Sequence, residues 1–163
     1  MLFNVAGLLR EPVGASRRYE LQAEPPIHRG SLELIRMPRG VLVRCEADVV
    51  IEDRCSRCAV PFGYPATIQF EEVFAQQVDP VTGAKLPPPE EPDTFFIALD
   101  HTIDITEAVR QYMETSAAMQ PLCREDCPGI CPDCGKDLSE AACGCQRNRT
   151  DPRWAALAAL KLS

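Results

Sequence analysis

The residues able to do chemistry in this chain are its cysteines. Nine occur among 163 residues, and eight of them fall into four close pairs. Cys131-Pro132-Asp133-Cys134 is followed by Gly135, and Cys143-Gly144-Cys145 comes shortly after it. Two thiolates separated by two residues can grip one metal ion while the backbone turns beneath them, and a glycine after the second permits that turn. Cys131, Cys134, Cys143 and Cys145 thus make a four-thiolate set within 15 residues. Cys55-Ser56-Arg57-Cys58 and Cys123-Arg124-Glu125-Asp126-Cys127 also have ligand spacing and combine into a second set. That second set closes a long loop, so metal bound there adds to folding stability. Two zinc ions per chain are expected, although four thiolates suit iron as well. Cys45 remains as a small buried hydrophobe.

Other uses of these cysteines are open on spacing alone. Cys55 and Cys58 have the spacing of a thioredoxin-like thiol oxidoreductase, but the βαβ context of such a pair is missing around them. One six-cysteine site with Cys55 and Cys58 left free is another arrangement. A closed all-sulfur tetrahedron has no open coordination position and is structural, not catalytic. No glycine-rich phosphate loop, His-Glu-x-x-His motif or nucleophile elbow occurs. His28 and His101 lie far in sequence from the cysteines and read as surface residues; the acid pairs Glu71-Glu72 and Glu90-Glu91 read as solvated surface. The chain is therefore expected not to be an enzyme.

The elements that position these residues can be read from periodicity. Val41, Val43, Cys45, Ala47, Val49 and Ile51 alternate with Arg44, Glu46 and Asp48, the pattern of a half-buried antiparallel strand. Leu32 and Leu34 precede it across a Pro38-Arg39-Gly40 turn, and a further strand is expected at 66–74. Cys55–Cys58 then falls in the hairpin connection. Residues 79–93 contain five prolines and few apolar residues, which predicts a mobile acidic loop. Phe95-Phe96-Ile97 reads as a short strand. Asp104 and Glu107 resemble a capping box ahead of a helix whose stripe is Ile105, Ala108, Val109, Tyr112, Met113 and Ala117, stopped by Pro121. Asp151 and Pro152 start a last short helix carrying Trp154, Leu157, Ala158 and Leu160. The expected fold is α+β: a small antiparallel β-sheet or partial barrel with one packed helix over residues 1–121, then a zinc-ribbon-like cysteine-rich region over 122–163 ending in a short helix.

Composition narrows the partners. Apolar residues make up 45% and charged residues 25%, enough for a core and against disorder along most of the length. Seventeen basic and 24 acidic residues leave a net charge of −7, which excludes a strongly basic nucleic-acid coat over the whole molecule. The acidity is local: residues 71–107 hold nine acids and one lysine, a net of −8, while residues 1–70 hold nine arginines and eight acids, a net of +1. No apolar run approaches the roughly 20 residues that span a bilayer, and the start does not read as a signal peptide, so a cytoplasmic protein without membrane contact is expected. Arginines near the proposed ligands, Arg54, Arg57, Arg124, Arg147 and Arg149, are candidates for phosphate or partner contact.

Several motifs occur in a telling order: Arg54-Cys55-Ser56-Arg57-Cys58, then Ile103-Asp104-Ile105-Thr106-Glu107, then PLCREDCPGICPDCGKDL, then CGC and DPRWAALAAL. From about residue 40 onward the chain resembles the large ribosomal RNA subunit accumulation protein family, often called YceD. Cys45 and the proline-rich loop depart from that pattern, and neither touches the proposed ligands. The resemblance implies a bacterial or plastid factor for ribosome biogenesis with no catalytic activity, needed for normal 23S rRNA levels. Its partners would be the 23S rRNA precursor, a large-subunit ribosomal protein, or both. A general zinc-ribbon interaction module is the alternative the residues themselves leave open.

Overall fold

The computed structural model describes residues 1–88, 94–145 and Arg153. The expected C-terminal helix with Trp154, together with Arg147, Arg149 and the Glu90-Glu91 pair, lies outside the described residues. The chain forms two compact units. One comprises Met1–Asp53 and Phe62–Met119; the other comprises Arg54–Pro61 and Gln120–Ser163.

The first unit is built on β1 (Leu2–Asn4), a 3-10 turn (Leu8–Arg10), β2 (Ser16–Leu21), β3 (Ile27–Met37), β4 (Gly40–Arg54), β5 (Pro61–Ala75), β6 (Phe95–Phe96), β7 (Thr102–Asp104) and α1 (Thr106–Ser116). A five-stranded sheet runs in the order β2-β3-β4-β5-β6, and β1 pairs antiparallel with β7 in a second, two-stranded sheet. No closed barrel forms among the described residues. β2, β3 and β4 pair antiparallel, whereas β6 joins β5 in parallel, with Ala75 opposite Phe96.

The period-two pattern of β4 decides which face is buried. Val41, Val43, Cys45, Ala47, Val49 and Ile51 all point inward, with Leu32 and Leu34 beside them on β3 and Ile68, Phe70 and Phe74 on β5. Ala108 and Val109 of α1, Leu8 and Leu9 of the 3-10 turn, and Ile103 and Ile105 complete this core. Tyr112 stacks on Phe70 at 4.8 Å, and its hydroxyl donates to Glu72 at 2.7 Å. Burial pushes the Cys45 thiol up to about 11, helped by neighbouring Glu46, so it stays neutral and behaves as the packing residue its position predicts. The outer face carries a ladder of alternating charge across four strands: Arg18 to Glu33 at 3.5 Å, Glu33 to Arg44 at 3.9 Å, and Arg44 to Glu71 at 2.9 Å. Cross-strand pairs of opposite charge favour this register over its neighbours.

Two local expectations are displaced. The capping box at Asp104 and Glu107 does not form. Asp104 ends β7, and its carboxylate accepts from the Thr106 N–H at 3.0 Å and the Thr106 hydroxyl at 2.6 Å, which moves the helix start to Thr106. Glu107 instead accepts from Arg110 and from Gln111, pairs one turn along the helix that hold it away from the helix start. The helix also ends at Ser116, short of Pro121, where Ala117 turns to an extended conformation. Within the proline-rich stretch, residues 79–86 make a hydrogen-bonded turn: Asp79 accepts from the Val81 and Thr82 N–H groups, Gly83 sits at φ +70°, and Val78 bridges Lys85.

Gly40 opens β4 where the strand lies against the backbone of Phe74 at the end of β5. A Cβ there would come 2.3 Å from the Phe74 carbonyl oxygen, and backbone cannot yield as a flexible side chain can. The G40A substitution should lower stability by roughly 1–3 kcal/mol, read as a lower urea midpoint with an unchanged slope. A midpoint equal to that of the parent would show that the β4–β5 contact is looser than described.

Candidate metal centres

The second unit is organised by its eight cysteines. Cys55–Cys58 occupies the connection between β4 and β5, and the remaining pairs follow α1 in the chain. The Sγ atoms of Cys55, Cys58, Cys123 and Cys127 all lie within 4.8 Å of one another, as do those of Cys131, Cys134, Cys143 and Cys145. The grouping is thus two sets of four rather than one set of six. Cys55 and Cys127 approach to 3.7 Å, and Cys58 and Cys123 to 3.8 Å. A disulfide needs about 2.05 Å. A tetrahedron with metal–sulfur bonds of about 2.3 Å has edges of about 3.8 Å, so the spacing suits ions held by sulfur, not cross-links. Either set of four cysteines could hold a metal ion.

The backbone around the two Cys-x-x-Cys segments repeats. At the first, the Cys55 N–H donates to the Val60 carbonyl at 3.0 Å, and the Ala59 N–H donates back to the Cys55 carbonyl at 2.8 Å. At the second, the Cys131 N–H donates to the Lys136 carbonyl at 2.8 Å, and the Gly135 N–H donates to the Cys131 carbonyl at 2.8 Å. The residue after the second cysteine has left-handed φ in both, +60° at Ala59 and +71° at Gly135. The turn therefore requires this conformation whether or not glycine is present. Because alanine occupies the position at the first knuckle, periodicity and residue type concealed the equivalence.

Backbone N–H groups from the turns, and at Cys55 from Cys123 as well, are aimed at the leading sulfur of each knuckle. The Cys55 thiol is drawn down to about 6, first by the Cys123 N–H and also by those of Arg57 and Cys58. Cys131 is drawn down to about 7 by the N–H groups of Cys134 and Asp133. Cys123 is pushed up to about 12 by desolvation and by its hydrogen bond with Cys127, and Cys145 to about 12 by hydrogen bonds with Cys134 and Cys131. Without a cation, four sulfurs at this distance cannot all carry charge; Cys55 and Cys131 ionise first, while Cys58, Cys123 and Cys145 resist. A divalent cation removes that conflict, which is the physical reason such a cluster suits metal.

The two knuckles are joined by backbone. The Arg57 carbonyl accepts from the Ile130 N–H at 3.1 Å, and the Gly129 carbonyl accepts from the Leu138 N–H at 3.0 Å. The Arg57 guanidinium donates to the Cys127 carbonyl at 2.9 Å and to the Glu125 carbonyl at 3.4 Å, and the Ser56 N–H donates to the Pro121 carbonyl at 2.8 Å. Of the other candidate arginines, Arg54 donates to the Ala59 carbonyl at 3.2 Å, and Arg124 pairs with Asp126 at 3.4 Å. The spacing of the cysteines did not disclose Gly129 as a structural position. Its only sequence signal is a glycine midway between two ligand pairs.

The model of the family described as "Large ribosomal RNA subunit accumulation protein YceD" matches residues 43–161. The chain belongs to the YceD family. An uncharacterized protein of Mycobacterium tuberculosis is 28% identical over 174 aligned residues, covering 96% of this chain and 79% of the relative. One from Mycobacterium leprae is 27% identical, covering 96% and 76%. The uncharacterized protein YlbN of Bacillus subtilis is 34% identical over 105 residues, covering 63% of this chain and 56% of its own length. No solved structure gives a significant match. The match to the family model takes in all eight paired cysteines.

Gly129 offers a direct check on the joint between the knuckles. It sits at φ +76°, and a Cβ would come 2.9 Å from the Arg57 carbonyl oxygen. The G129A substitution combines left-handed strain with a backbone clash and should cost about 1–3 kcal/mol. It should also speed metal release to a chelator, followed by absorbance after cobalt substitution. Release at the parent rate would show that the two knuckles are not coupled through this contact.

Proposed function

We propose that the protein is a non-enzymatic factor for large-subunit ribosome biogenesis that supports 23S rRNA accumulation or processing in the cytoplasm, with two zinc ions holding its cysteine-rich unit together. The family match carries the ribosomal part of this reading, since its description concerns accumulation of the large ribosomal RNA subunit. The sulfur geometry supports the metal part. Cys55, Cys58, Cys123 and Cys127 hold one ion, and Cys131, Cys134, Cys143 and Cys145 the other. Four thiolate donors at tetrahedral spacing fill the coordination sphere of zinc and leave no position for substrate. The Cys55–Cys58 turn belongs to a four-sulfur cluster on a hairpin connection, a setting that favours a structural role over thiol exchange.

The partner is the 23S rRNA precursor, a large-subunit ribosomal protein, or both. Arg54, Arg57 and Arg124, with Arg147 and Arg149 beyond the described residues, supply the cationic groups near the metal. Arginine can pair with phosphate while still holding a backbone carbonyl, because its guanidinium has five donors. Among the described residues no helix is long and apolar enough to cross a membrane.

Deleting the gene in its source organism and measuring the ratio of 23S to 16S rRNA tests this reading. The ratio should fall and should recover with the parent chain, but not with a C58S/C127S double variant. Purified protein should bind 23S fragments with affinity that drops as salt rises if contact is to RNA. An unchanged ratio in the deletion strain would overturn the ribosomal reading whatever the metal content.

A further inference from the structure

The four sulfurs of the first cluster are unequally protected, and the division runs across the knuckles rather than between them. Cys55 and Cys127 are each 3% exposed, whereas Cys123 is exposed and Cys58 half-buried. The protected pair meets at 3.7 Å and the accessible pair at 3.8 Å. Each accessible sulfur therefore faces, on the solvent side, a sulfur of the other knuckle, 65 residues away in the chain.

Cysteine oxidation attacks the thiolate and follows access. A solvent-borne hydroperoxide reaches Cys123 before it reaches Cys55 or Cys127. A sulfenic acid formed at Cys123 then has Cys58 beside it at 3.8 Å. Condensation of a sulfenic acid with a neighbouring thiol gives a disulfide, whose bond of about 2.05 Å asks these two surface sulfurs to close by less than about 2 Å. The spacing seen is that of the reduced cluster. Backbone contacts hold the knuckles together while the sulfurs rearrange: the Ser56 N–H donates to the Pro121 carbonyl at 2.8 Å, and the Arg57 guanidinium donates to the Cys127 carbonyl at 2.9 Å.

We infer that Cys58 and Cys123 form a peroxide-sensitive pair, joined on two-electron oxidation by a disulfide across the crossing of the chain. In the first step the Cys123 thiolate attacks one oxygen of hydrogen peroxide. The O–O bond breaks, Cys123 becomes a sulfenic acid, and hydroxide leaves. In the second step the Cys58 thiolate attacks the Cys123 sulfur. The S–O bond breaks, the S–S bond forms, and a second hydroxide leaves. The two sulfurs lose two electrons and the peroxide gains them.

Two of the four thiolates of the cluster are consumed, which leaves only Cys55 and Cys127 to hold an ion. The crossing itself stays closed, because a covalent bond that spans 65 residues replaces ligation as the constraint on the chain. This bond differs from that of a thiol oxidoreductase, which would join Cys55 to Cys58 within one knuckle. Sulfur positions and exposure carry this reading, which goes beyond the ribosomal one and does not need it.

Trypsin separates the possible products. Arg57 lies between Cys55 and Cys58, and Arg124 between Cys123 and Cys127, so the four cysteines fall in four different peptides. The full zinc-loaded chain is treated with a small excess of hydrogen peroxide and then unfolded. Its remaining thiols are blocked with N-ethylmaleimide, and the non-reduced digest is analysed by mass spectrometry. The peptide that begins at Cys58 should be linked to the one that ends in Cys123-Arg124, at least about tenfold more abundantly than any other disulfide among the four. A dominant bond that includes Cys55 or Cys127 would overturn the inference. So would oxidation confined to the second cluster, Cys123 recovered as a sulfinic acid without a disulfide, or all four thiols recovered free. Zinc content, measured before the oxidant is added, reads the metal proposal separately. A chain that carries no zinc yet forms the Cys58–Cys123 bond contradicts that proposal and supports this one.

Discussion

The cysteine-rich unit depends on one crossing of the chain: the sulfurs of Cys55 and Cys58 meet those of Cys123 and Cys127, which lie more than sixty residues later. The stretches that meet there contribute little apolar surface of their own. Apart from the cysteines, their buried contacts are few, and Val60 and Ile130 are both 45% exposed. A segment with so small a core cannot offset its ordering entropy by burial. An ion held by these sulfurs would supply what the core does not, because metal binding free energy in such a site is folding free energy. The Arg57 and Ile130 contacts then carry the geometry of the first cluster to the second.

The first unit is held by different physics. There the inner sheet face is apolar without interruption from Leu32 and Leu34 through Val41–Ile51 to Ile68 and Phe74, and α1 covers it with small residues such as Ala108. The outer face is stabilised in register by alternating charge, each pair exposed and individually weak. One chain thus joins a unit of long strands held by burial to a unit whose two four-cysteine clusters could hold metal.

Much of this was legible in the residues. A strict period of two over Val41–Ile51 specifies both a strand and its buried face, since a one-residue slip would reverse it. Cysteine spacing picked out four pairs, and the sulfur positions bring them together as two sets of four that could hold metal. What escaped has physical reasons. Asp104 and Glu107 fit a capping pattern, but the Thr106 N–H and hydroxyl bind Asp104 locally, a competing bond that pattern does not register. The parallel attachment of β6 depends on tertiary contacts of a two-residue strand, too short for periodicity to indicate direction. Ala59 occupies a left-handed position that residue type argues against, so the likeness of the two knuckles emerged only from backbone geometry.

Native mass spectrometry of the zinc-loaded chain, with and without the C58S substitution, tests the central claim most directly. Two ions should be present in the parent and one in the variant, since only the Cys55/Cys58/Cys123/Cys127 cluster loses a ligand. A parent that carries a single ion, or a C58S variant that still carries two, would contradict the account of two separate four-sulfur centres.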